Sequence, residues 1–169
     1  MSIKLIRDKD LIYNDKEYME IVEDILSNDI VQEMKNYRQH YDTSTFEHCF
    51  NVSFMSYKIC KKLHLDYKSV ARAAMVHDLF LYDWRGGLKA ERFRDLHAFA
   101  HPKISYNNAS KLFTFNKKEK DIIIKHMWPV TFFHFPKYLE SFIITLTDKH
   151  SALYETYKYY HNKHKKKKL

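Results

Sequence analysis

The chain has 169 residues, enough for one domain with a sizeable core: 45% of its positions are apolar, and 13 tyrosines and 12 phenylalanines are among them. Charged residues make up 30%, so most helices should keep a solvated face, and two glycines and three prolines are too few for a chain of tight hairpins. The net charge of +8 suggests a nucleic-acid binder, but five lysines sit in Asn162–Leu169 (NKHKKKKL), and without them the balance falls to +3; residues 161–169 read as a basic, disordered tail that meets polyanions without specificity.

The start, MSIKLIRDKD, has neither a long apolar stretch nor a small-residue cleavage site. No window approaches the roughly 20 apolar residues of a membrane span. Residues 1–14 are a polar lead-in. Residues 16–27 place Tyr18, Ile21, Val22 and Ile25 on one helical face, and a second short helix is expected over 29–38. Ser44 and Glu47 form a capping box that opens a long helix over 45–63. Cys49 and Cys60, eleven apart on that helix, are separated by about 16 Å along its axis, too far to bridge, which fits a reducing cytoplasm.

Asp66 caps a helix over 67–80, and the DWRGG segment that follows breaks it. Residues 88–100 have no decisive pattern. Pro102 suits the first turn of a helix over 102–113. Asn116, with Glu119 three residues on, caps a helix over 117–127, which Pro129 ends. Pro136 starts a final helix over 136–160. The expectation is an all-α fold: one domain over 1–160, a compact bundle of six to eight helices, with no strand.

Eleven histidines are unusual for this length, and their positions say more than their number. His48 lies on the inner stripe of its helix beside Phe46, Val52 and Met55. His77 and Asp78 close the apolar helix AAMVHDLF, and His126 closes DIIIKHM. Asp148 interrupts the apolar run FIITLTD. Two carboxylates at core positions need compensating positive charge, because a buried unpaired charge costs several kcal/mol. Divalent metal ions supply it, and imidazole with carboxylate suits Fe, Mn, Co, Ni or Zn better than Ca. The absence of a Cys-x-x-Cys pair argues against a structural zinc site.

The order is a His, then His-Asp, then two spaced His, then Asp, each on its own helix. In this the chain resembles the HD-domain metal-dependent phosphohydrolase superfamily: His48 in FEHCFNVS, His77-Asp78 in AMVHDLFLYDW and Asp148 in TLTDKHSAL match its signature. His101 in AFAHPKIS and His126 in IIKHMWPV match the two histidines added by its two-metal members. The resemblance covers about residues 38–155. It departs from the cyclic-dinucleotide phosphodiesterases of the superfamily, since no Gly-Tyr-Pro motif occurs, and Leu81 stands where many members carry a Lys after the His-Asp pair.

The resemblance implies two divalent metal ions held by His48, His77, Asp78, His101, His126 and Asp148. Asp78 is shared between them, and a bridging hydroxide attacks a phosphoester of a nucleotide or another small phosphorylated molecule in line. It places Arg38, just ahead of the His48 helix, on the phosphate; Lys149, adjacent to Asp148, is expected there too, and Asp83 and Arg85, which border the Gly-Gly loop, are expected as proton donor and substrate clamp. His97 competes with His101 for the third imidazole position. A homodimer is compatible with this reading, and neither a specific nucleic acid nor a membrane is expected as partner. Two other classes share the ligand pattern: a di-iron oxygenase, and a nucleotide-binding module without catalysis. A one-metal site, with His101 and His126 in other roles, is the nearest variant.

Overall fold

A computed structural model describes residues 9–84 and 96–166 of the chain. The described residues form eight α-helices and one two-stranded ribbon. The helices are α1 (Lys9–Tyr13), α2 (Lys16–Leu26), α3 (Asp29–Gln32), α4 (Thr45–Lys62), α5 (Tyr67–Met75), α6 (His97–Ala109), α7 (Lys117–Lys125) and α8 (Leu139–Lys166). A 3-10 turn over Glu33–Asn36 follows α3. Strands β1 (Arg38–His40) and β2 (Thr43–Ser44) pair antiparallel, Arg38 opposite Ser44.

Local chemistry accounts for most helix starts. Asp15 accepts from the Tyr18 amide at the head of α2, and Asp66 accepts from the Ser69 amide at the head of α5. Ser44 and Glu47 make the capping box of α4, and Asn116 and Glu119 repeat it at α7. The far end of α4 has a left-handed residue, His64 (φ 56°), where a glycine is usual. The Leu65 amide then reaches back to the Cys60 carbonyl at 2.9 Å, closing the helix without glycine.

α4 is the central element. Its buried face carries Phe46, Cys49, Phe50, Val52, Phe54, Tyr57 and Cys60, and it packs against α5 on one side and α8 on another. α2 adds Tyr18, Val22 and Ile25 to the same core, and the Tyr18 hydroxyl donates to Ser53 Oγ at 2.8 Å. Both cysteines are buried and free. α7 lies against α5, α6 and α8 and completes the wall around the site.

Four expectations need correction. The ribbon β1–β2 occupies residues read as the end of a short helix and a loop; Tyr41 at its turn takes a positive φ of 51°, and Thr45 donates back to the Tyr37 carbonyl at 2.8 Å. α5 ends at Met75, five residues early, because Val76 (φ −119°, ψ 11°) leaves helical geometry. His77 and Asp78 therefore sit in a turn, where the two side chains are freed from helical spacing. Pro102 lies inside α6, which begins at His97; the missing proline N–H leaves the fourth carbonyl before it without that helical bond. α8 starts at Leu139, since the Lys137 amide is taken by Asp121, and it runs to Lys166, beyond the expected end at Tyr160.

Candidate metal centre

The six expected ligands converge. His48 stands in the first turn of α4, so the cap that starts the helix also sets the rotation that turns this imidazole inward. His77 and Asp78 come from the turn after α5, His101 from α6, His126 from the cap just past α7, and Asp148 from α8. All six are buried, with Asp148 the most exposed at 8%.

His48 Nε2 lies 2.9 Å from Asp148 Oδ1, and His77 Nε2 lies 3.8 Å from the same oxygen. Asp78 stands between this group and a second one. Its Oδ2 is 3.5 Å from His77 Nε2, while its Oδ1 is 3.1 Å from His101 Nε2 and 3.4 Å from His126 Nε2. His101 and His126 bring their Nε2 atoms to 2.8 Å from each other. Among the described residues, ligand atoms within 4.8 Å of one another form the sets His48–His77–Asp78 and Asp78–His101–His126, with Asp78 common to both, and a third, His40–His48–Glu155, on the outer side of His48.

The outer hydrogen bonds decide which nitrogens face inward. His77 Nδ1 lies 2.7 Å from the Ala74 carbonyl, His101 Nδ1 2.7 Å from the His97 carbonyl, and His126 Nδ1 2.8 Å from the Ile123 carbonyl. A carbonyl oxygen only accepts, so each Nδ1 carries the hydrogen and each Nε2 is left as a lone pair in the neutral ring. Buried His77 Nε2 and Asp78 Oδ1 have no hydrogen-bond partner, and the two inward nitrogens of His101 and His126 confront each other. Converging lone pairs in a dry site are unfavourable on their own. A divalent cation resolves them, and these residues fit one: nitrogen and carboxylate donors are those of Fe, Mn, Co, Ni and Zn.

The local field agrees. Where protons rather than a cation fill the site, burial opposes the charge on His77, yet Cys49, Asp78 and Asp148 raise it well above its ordinary value; burial likewise would raise the Asp78 carboxyl, but His77 and His101 then hold it well below the usual carboxylate range. Burial likewise opposes the ionisation of Asp148, and His48 and His77 hold its carboxyl well below that range too. His48 is desolvated, which would lower it, yet the Glu155 and Asp148 carboxylates push its imidazole up to about 10. Burial keeps His126 below its ordinary value.

A cavity of about 350 Å³ opens onto Asp78, His101 and Asp148. Trp84, Met127 and Val130 make much of its wall apolar, and Lys149 lies on its rim. Lys149 Nζ donates to the His126 carbonyl at 3.0 Å and sits 3.6 Å from Asp148 Oδ2. His97 also lines this cavity without joining the ligand sets; it meets the Tyr82 hydroxyl at 2.9 Å and stacks on Trp84, and burial lowers its imidazole to about 4. Arg38 is elsewhere: its side chain is exposed and borders a separate groove of about 540 Å³ with Lys9, Lys35 and Glu47. Asp83 is exposed and is not among the residues lining the cavity. Arg85 lies outside the described residues.

Three further residues join the centre. Gln39 Nε2 donates to Asp78 Oδ2 at 2.6 Å. Glu155 accepts from His48 Nδ1 at 3.1 Å and 3.2 Å. The ring of His40 packs edge-on to His48, 5.4 Å between centroids. The spacing of seven between Asp148 and Glu155 puts both on one face of α8 and was a readable signal. Gln39 and His40 had none, because the ribbon that presents them was not legible.

Among family models, one described as HD domain matches residues 45–153, well over half of the chain. No curated protein and no solved structure matches it.

Proposed function

The chain belongs to the HD-domain family, and from that premise we propose that it is a metal-dependent phosphohydrolase acting on a small phosphoester. One observation carries the reading: two buried ligand sets share Asp78 at the floor of a cavity whose rim holds a lysine. The second set, Asp78–His101–His126, favours two ions over one.

His48, His77 and Asp148 would hold one ion, His101 and His126 the other, with Asp78 between them. Divalent ions in this place supply positive charge to the phosphoryl oxygens and lower the pKa of the attacking water. The protein's own groups do the rest. Gln39 fixes one oxygen of Asp78 and so fixes where the other points. Lys149 is anchored on the His126 carbonyl and Asp148, which brings its ammonium to the rim as a point charge for a phosphate oxygen. The apolar wall of Trp84, Met127 and Val130 takes the group that carries the phosphate and keeps bulk water away from the ionised carboxylates.

The test is elemental analysis of protein purified without chelator or nickel affinity, followed by a phosphoester screen with the metal found. About two equivalents of a transition metal and release of inorganic phosphate are expected. Iron-dependent uptake of dioxygen with no phosphate released would overturn the hydrolase reading, and no metal uptake at all would overturn the metal centre.

A further inference from the structure

The four imidazoles of the centre are not held alike. His77, His101 and His126 each hand their Nδ1 hydrogen to a neutral backbone carbonyl on their own chain segment. His48 hands its Nδ1 hydrogen to a buried carboxylate, Glu155, which reaches it from α8 with both oxygens within 3.2 Å. Glu155 is 5% exposed, so this charge is little screened by water.

We infer that Glu155 is a positioning residue that makes the two halves of the site unequal, so that the ion on the His48–Asp148 side is held more tightly than the ion on the His101–His126 side. This rests on the metal-centre reading above. A carboxylate draws the Nδ1 hydrogen more strongly than a carbonyl does, which raises the electron density at Nε2 and locks the ring in its ligating orientation. The same half-site has Asp148 as a second anion, whereas the other half has only the shared Asp78. Lys149, 3.6 Å from Asp148 Oδ2, offsets part of that excess and is unchanged by any substitution at Glu155.

Graded chelation of the two-metal protein tests it, with bound metal per chain as the readout and affinities compared after correction for the protons that metal displaces, counted by calorimetry in two buffers. Two release steps are expected in the wild type, separated by tenfold or more in chelator concentration. His126→Ala should lose the weaker step and keep the tighter one. Glu155→Gln keeps an acceptor for His48 but removes the charge, and should bring the steps about tenfold closer; Glu155→Ala should do so by up to about 100-fold, the range found for outer partners of metal-bound histidine. In the His126→Ala background, adding Glu155→Ala should weaken the remaining ion by the same factor. The unfolding midpoint of the metal-free Glu155→Gln protein shows that the fold is retained. Two equivalents released in the wild-type pattern by both Glu155 variants would overturn the inference and leave the metal centre standing. A third equivalent that is lost in Glu155→Ala would also overturn it, by making Glu155 a ligand. A wild type that takes up no metal would overturn both.

Discussion

Asp78 faces four side-chain nitrogens at once: those of His77, His101 and His126, and the Gln39 amide. It alone belongs to both the His48–His77–Asp78 and the Asp78–His101–His126 sets. Asp78→Asn should therefore cost both ions, where His126→Ala costs one; elemental analysis of the two variants distinguishes a shared carboxylate from two independent sites. Gln39→Leu keeps the volume but frees Asp78 Oδ2, and should weaken metal binding by about tenfold in a competition titration. Binding should also release protons. Burial lowers the metal-free His48, but the Glu155 and Asp148 carboxylates raise it above its ordinary value overall, so it should enter the bound state by losing a proton, and apparent affinity should rise with pH through the neutral range. Calorimetry in buffers of different ionisation enthalpy measures that proton count.

Two elements meet the site at their ends, α4 through its first turn and α7 through its cap. The capping box of α4 sets the rotation of His48, and Ser44→Ala should lower stability by about 1 kcal/mol in urea unfolding. Glu140, in the first turn of α8, ties that helix to α5: it accepts from the Asp66 amide at 3.2 Å and from Lys118 at 2.6 Å. Burial opposes its ionisation, but Lys118 and the amide hold its carboxyl below the ordinary 4.5. A depressed carboxyl stabilises the fold above its unfolded pKa, and that contribution fades as pH falls through the folded value. Glu140→Gln should thus cost about 1–2 kcal/mol at pH 7, and the difference from wild type should shrink in unfolding titrations below pH 4.5. The turn at His77–Asp78 shows the converse. The apolar pattern over 67–80 continues past the helix end, because Leu79 and Phe80 are buried without being helical.

Across the molecule, the candidate ligands come from α4, the turn after α5, α6, the cap of α7 and α8, so a bound metal would tie together helices that contribute most of the core. Anything that binds the folded state alone raises its stability; an ion at 100 times its dissociation constant adds about 2.7 kcal/mol. Removing metal with chelator should accordingly lower the melting temperature by roughly 5–10 °C for a chain of this size, and adding it back should restore the melt. No described helix is long and apolar enough to cross a membrane, and α8, at 28 residues, exposes Leu139, Leu146 and Leu153 among its polar positions.

The sequence by itself determined the helical class, the caps at Ser44, Asp66 and Asn116, and the candidate ligands. Caps and periodicity act over three or four residues, and polar groups at core positions stand out against an apolar pattern. Only the tertiary structure decided what meets what. It turned Arg38 into a separate groove while its neighbour Gln39 reached Asp78, because alternate residues of a strand point to opposite faces. It brought Glu155 to the far nitrogen of His48, 107 positions away, because two helices packed side by side set distances that no local pattern carries.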